Sequence, residues 1–167
     1  MIKQRCSLAF SLLWRTHVVY FIYSALLSLT LGFTVGSTLL TSRDFLLFGP
    51  PATLALLALL LVVLEVASGV NVPRAVFGNR LKRSAAQWRT YVLQLSLLLT
   101  ALAILHALFA FFAPFEVWVN YRVYGGPLLF TVGLFLLGWA QAPSSANDMI
   151  AAQAEDAAAT SAVPKWP

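Results

Sequence analysis

Long apolar stretches alternate with short polar ones along the chain. Residues 18–40 carry no charge, and residues 45–66 carry one acid, Glu65, near their end. Residues 91–112 hold a single ionisable group, His106, and residues 124–142 carry no charge. A helix needs about 20 mainly apolar residues to cross a bilayer. Each of the four segments therefore predicts one transmembrane helix. Backbone inside lipid must form helices or a closed barrel, and unbroken Leu, Ala and Val runs lack the alternation of barrel strands. The predicted fold class is all-α, a polytopic membrane bundle of about four transmembrane helices. Residues 1–17 precede it as a basic interfacial N-terminus. Residues 143–167 follow as an Ala-rich, flexible cytoplasmic tail with a weak helix near 148–159.

Proline and short runs refine these boundaries. Gly49, Pro50 and Pro51 lie in the first turns of the second span. Proline is tolerated where a helix starts, so the regular helix is expected from about Pro50, with 45–49 at the interface. Pro114 is expected to end the third span. The run 7–14 is too short to cross and is expected at the interface. Arg15 and His17 interrupt it, and no small-residue cleavage site follows, so no cleaved signal is read.

Composition agrees with lipid as solvent. Apolar residues make up 60% and charged residues 10% of the chain, against about 25% charged in a soluble domain. The net charge of +5 could suggest nucleic acid. The basic residues, however, sit between the spans. Lys3, Arg5, Arg15, Arg74, Arg80, Lys82, Arg83 and Arg89 fall on one side, and only Arg43 and Arg122 on the other. By the positive-inside rule this predicts a multi-pass protein with both termini cytoplasmic, and no nucleic-acid partner. Cys6 is the one cysteine, so neither an internal disulfide nor a multi-cysteine metal site can form. It reads as an interfacial thiol, with palmitoylation as the alternative.

Two seams of small residues stand out. Ser24, Ser28, Gly32 and Gly36 recur every fourth position in the first span; Ser96, Thr100, Ala103, Ala107 and Ala110 line the third. Such stripes let helix backbones approach closely in lipid. Packing within one bundle and packing between copies both fit.

Chemistry is sparse. His106 is the one ionisable group deep in a span, a functional candidate by default. Its obvious partner, Glu65, is expected at the other end of the bundle, because His106 lies about 22 Å along its helix from Tyr91. A neutral His106 hydrogen-bonded across the bundle is the favoured reading. Glu65 is expected to pair with loop arginines. The cluster Arg80-Leu81-Lys82-Arg83 sets topology and can attract anionic lipid. No nucleophile stands with a base, and no HExxH, phosphate loop or carboxylate pair is present. No catalytic residue, cofactor or metal ligand is predicted. The most distinctive string is Trp118-Val119-Asn120-Tyr121-Arg122-Val123-Tyr124-Gly125. Its aromatics suit the headgroup level, while Asn120 and Arg122 could hold headgroups or cap the fourth helix.

That string resembles the W-V-N-[FY]-[KR]-V-[FY]-G segment of the intracellular septation protein A family of bacterial inner-membrane proteins. The resemblance runs back to about Val76, through Phe77-Gly78, Leu81 and Trp88, with Pro114 in register. Arg43-Asp44-Phe45-Leu46 resembles the family's acidic-Phe-Ile stretch. Coverage is about residues 43–140. The chain departs in lacking the family's usual first span, in Leu47, Phe48 and Gly49 replacing lysines, in Ser84 for a loop proline, and in His106 for an asparagine. The resemblance implies a non-enzymatic role in envelope maintenance and septation, in contact with membrane lipids and with division or elongation proteins. It assigns no catalytic residue. The interface candidates are Trp118, Asn120, Tyr121, Arg122, Tyr124 and Gly125, and a homo-oligomer packed on the Ser24 stripe is a further expectation. The alternative is a small transporter or channel subunit using His106 within an oligomeric bundle.

Overall fold

Capping chemistry decides where the helices begin. The computed structural model describes residues 2–35, 42–77, 84–141 and 154. Six α-helices fill these stretches: α1 (Ile2–Val35), α2 (Arg43–Ala67), α3 (Val72–Phe77), α4 (Ala85–Phe112), α5 (Phe115–Asn120) and α6 (Gly126–Ala140). A π turn, Tyr121–Gly125, joins α5 to α6. No strand occurs among the described residues. Four stretches are long and apolar enough to cross a membrane: Arg5–Leu31, Arg43–Ala67, Ala85–Phe112 and Phe115–Ala140. The all-α, four-span reading is borne out. Gly36, the 80–83 basic cluster and nearly all of the tail, including the weak helix expected there, lie outside the described residues.

Three helices start earlier than hydropathy predicts, each for a physical reason. α1 begins at Ile2, so the run 7–14 is part of the long helix rather than a separate interfacial segment. Ala9 and Leu12 are buried, and Gly138 lets α6 lie directly against them. A Cβ on Gly138 would stand 2.8 Å from the Ala9 Cα. α2 begins at Arg43, because the Ser42 hydroxyl accepts the Phe45 N–H at 3.2 Å. Pro50 and Pro51 therefore sit inside this helix rather than at its start. α4 begins at Ala85 behind a capping box, in which Ser84 and Gln87 satisfy each other's backbone N–H groups. Its end at Phe112, just before Pro114, agrees with the proline rule.

The long helices form two antiparallel pairs, α2 with α4 and α1 with α6, joined along α4 and α6. Ala9 faces Gly138 and His17 faces Thr131, which fixes the direction of α1 against α6. One end of the bundle carries the start of α1, the α2–α4 connection and the end of α6; we call it the basic end. There Leu12, Leu57, Leu61, Trp88, Tyr91, Leu95 and Leu99 form a buried core. Tyr91 donates its hydroxyl to Thr16 Oγ1 at 2.7 Å, and Thr16 donates onward to the Leu12 carbonyl at 2.9 Å. The far half of α1 projects beyond this core, with Leu26, Leu29 and Phe33 exposed. Apolar exposure of this kind suits a lipid-facing helix.

Candidate functional site

Proline, glycine and the π turn keep the far half of the bundle open. A cavity of about 330 Å³ lies there, lined from all four long elements by His17 and Tyr20, Pro50 and Leu54, Leu102 and His106, and Arg122, Gly126, Pro127 and Phe130. That volume is within the roughly 300–1,000 Å³ of small-molecule sites. Among the described residues the lining carries two imidazoles and a guanidinium, with no carboxylate and no thiol.

Backbone vacancies explain the position of Arg122. Pro50 has no N–H to offer the Leu46 carbonyl four residues back. Arg122 supplies the missing donor, with Nη1 at 2.6 Å from that oxygen. The guanidinium also lies 5.3 Å from the centre of the Trp118 ring, a cation–π contact. A guanidinium has five N–H donors. Among the described residues the Leu46 carbonyl is the one hydrogen-bond acceptor that Arg122 reaches.

Both histidines are held alike. A carbonyl oxygen only accepts, so the ring nitrogen facing it carries the proton. His17 Nδ1 donates to the Leu13 carbonyl at 3.0 Å, which leaves Nε2 to accept from the Thr131 hydroxyl at 3.3 Å. His106 Nδ1 donates to the Leu102 carbonyl at 2.8 Å, with the Tyr121 hydroxyl oxygen at 3.1 Å sharing the same N–H. The His106 Nε2 then faces Gly126, where a Cβ would stand 2.8 Å away. A Cβ there fits only if the imidazole tilts away.

The π turn aims the distinctive string. Its i→i−5 bond runs from the Gly126 N–H to the Tyr121 carbonyl. The extra residue per turn brings Tyr121 under His106, ring centres 4.9 Å apart, and onto Phe109, stacked at 4.0 Å. Gly125 makes room for the Tyr121 ring, since a Cβ there would meet Cδ2 at 2.8 Å. Single π turns of this kind are frequent at functional sites.

The predicted residues divide accordingly. Arg122 and His106 line the cavity, and Tyr121 packs against His106 beside it. Trp118 is buried against Arg122, whereas Asn120 and Tyr124 are exposed and Asn120 makes no side-chain cap. The string is helical throughout, so its side chains divide between the bundle interior and its outer surface. Of the Ser24 stripe, Ser24 is half-buried and no described helix covers Ser28. Glu65 lies fifteen residues along α2 from the cavity-lining Pro50, about 22 Å of helix.

His17 escaped the sequence reading because the first span was begun at Val18. The detectable signal was its position between two apolar runs, 7–14 and 18–31, which join into one helix once the bundle buries Ala9 and Leu12. Thr131 gave no signal at all.

Residues 6–140 match the model of a protein family described as intracellular septation protein A. The match reaches well before residue 43, where the string-based resemblance began, and takes in most of α1. No curated protein and no solved structure matches the chain.

Proposed function

This chain belongs to the intracellular septation protein A family, and on that premise we propose that it is a non-enzymatic factor of cell-envelope maintenance and septation that works by binding inside the membrane. It is a multi-pass membrane protein with four apolar spanning helices. The carrying observation is that Arg122 of the most distinctive string lines a cavity with His106, while the neighbouring Tyr121 hydroxyl meets His106 Nδ1, and that among the described residues this lining holds no carboxylate or thiol. A guanidinium and imidazoles among apolar walls are groups that bind and orient a ligand. The basic side chains in the first half of α1 and from α3 to the first turns of α4 favour an orientation with both termini cytoplasmic. The cavity then opens in the outer half of the inner membrane.

A conduit is the less favoured reading. The far half has the polar cavity a transporter would use, but Leu57, Leu61, Leu95 and Leu99 fill the basic half of the same bundle. The test is complementation in cells lacking the gene. Wild type is expected to restore shape, division and resistance to envelope stress, and Tyr121→Phe combined with Arg122→Gln is expected to fail at normal protein abundance. Unimpaired complementation by the double variant would remove the cavity from the function. Crosslinking in cells from positions near Trp118 and Gly32 would identify protein partners. Flux into proteoliposomes that His106→Ala abolishes would favour transport instead.

A further inference from the structure

We propose that the far-end cavity holds the phosphate-bearing headgroup of an anionic phospholipid, with Arg122 and the Nε2 atoms of His17 and His106 as its polar contacts. The charged and titratable groups on the lining are Arg122, His17, His106 and Tyr20, all of them cationic or neutral when the tyrosine is protonated. Such a lining repels cations and recruits anions. Arg122 spends one donor on the Leu46 carbonyl and retains others, and a guanidinium matches phosphate oxygens in geometry as well as charge. Each imidazole is tied to its own helix through Nδ1. Nε2 is the nitrogen of each ring not bonded to its own helix: on His17 it meets the Thr131 hydroxyl and on His106 it lies over Gly126 at the cavity floor, and it becomes an N–H donor toward a ligand when the ring is protonated.

The rest of the lining selects a lipid over a free anion. Tyr20, Pro50, Leu54, Leu102, Pro127 and Phe130 supply mostly apolar surface around the three polar groups. A fully hydrated anion gains nothing from such walls, whereas an acyl ester does. Between α1 and α2 the seam is bridged by side chains alone. Their backbones do not approach closely, and the Tyr23 hydroxyl reaches the Thr53 carbonyl at 3.3 Å. Beyond Tyr23, α1 presents Leu26, Leu29 and Phe33 outward. An acyl chain can leave the cavity along that seam into the bilayer.

This inference rests on the reading that the bundle acts by binding inside the membrane, and it fails separately from it. A protein that restores division while holding no anionic lipid refutes the headgroup site alone. One that holds the lipid yet fails to restore division refutes the reading and leaves the site.

The test is native mass spectrometry of the purified full-length protein released from mixed nanodiscs. The probes are phosphatidylglycerol, phosphatidylcholine and inorganic phosphate. Wild type is expected to retain phosphatidylglycerol about tenfold over phosphatidylcholine, and Arg122→Gln to lose about tenfold of that retention, because a charge-assisted contact is removed. Arg122→Lys keeps the charge but loses the planar fork, and its retention is expected between those of wild type and Arg122→Gln. Arg43→Gln, an exposed site at the same end, is expected to change nothing. Should Arg122→Gln not fold, His17→Asn with His106→Asn decides, since both Nε2 atoms go while a δ-position donor remains. Equal retention in Arg122→Gln, an equal loss in Arg43→Gln, or unchanged retention in the double asparagine variant overturns the site. Displacement of the lipid by equimolar inorganic phosphate overturns the lipid as its source.

Discussion

The same four long helices build two unlike halves. In the basic half they leave a void of about 20 Å³, lined largely by Leu12, Leu57, Leu61, Trp88, Leu95 and Leu99, room for roughly one water. In the far half they leave about 330 Å³. The difference lies in residue type. Large side chains interlock around Trp88 and Leu99, each 1% exposed. At the other end Pro50, Pro51, Gly125, Gly126 and Pro127 withhold side-chain volume or backbone N–H groups just where the helices could have closed. Polar side chains then take up the freed backbone partners, as Arg122 does for Leu46. One half supplies stability and the other holds space open.

The comparison breaks most visibly at Trp88. Truncating a fully buried aromatic costs about 3–5 kcal/mol, so Trp88→Ala is expected to approach the whole stability of the bundle. Reversible unfolding in mixed micelles measures it. A cost below about 1 kcal/mol would mean that the basic half is not the stabilising one.

The next effect is at Gly138. An added Cβ would meet the Ala9 backbone at 2.8 Å from its Cα and 3.1 Å from its carbonyl oxygen. Backbone cannot swing aside, so α1 must move off α6. Overpacking costs about 1–3 kcal/mol, and the helix propensity of alanine returns up to about 1 kcal/mol. Gly138→Ala is therefore expected to lose about 1–2 kcal/mol, read in the same unfolding assay. It should also weaken a crosslink between cysteines placed at 9 and 138.

The two halves were not equally legible in the sequence. Apolar run length revealed four spans, because lipid imposes that length on any helix that crosses it. It missed the starts of α1 and α4, which depend on local partners. Ser84 with Gln87 forms a capping box that hydropathy does not register, and Ala9 enters the core against Gly138 of another helix. In the cavity, His106 and Arg122 were visible as an ionisable group in a span and as part of a distinctive string. Their convergence was not, because the π turn that rotates Tyr121 and Arg122 inward changes the helical register by one residue. The Gly49-Pro50-Pro51 sequence by itself predicts a helix start. Its meaning required knowing that a guanidinium from another helix would reach the orphaned carbonyl.

The smallest expected effect is the most discriminating, and it concerns Gly126 and His106 together. A Cβ on Gly126 would stand 2.8 Å from His106 Nε2 and 3.2 Å from Cε1. Unlike the Ala9 backbone, a ring tip can yield by tilting, although its Nδ1 bond to Leu102 resists. That strain and the gain in helix propensity are both about 1 kcal/mol, so Gly126→Ala alone is expected to be near neutral. Asparagine carries a δ-position amide where histidine carries Nδ1, so His106→Asn keeps a donor for the Leu102 carbonyl and the Tyr121 hydroxyl. It removes both atoms that Gly126 approaches. In that background Gly126→Ala has only its propensity to express, and should stabilise by up to about 1 kcal/mol. The coupling between the two sites is then about 1 kcal/mol, well above the few tenths seen between independent positions. A coupling near zero would mean that the His106 ring does not rest on Gly126. The cavity would then have a different floor, and Nε2 would not face the space in which a ligand sits.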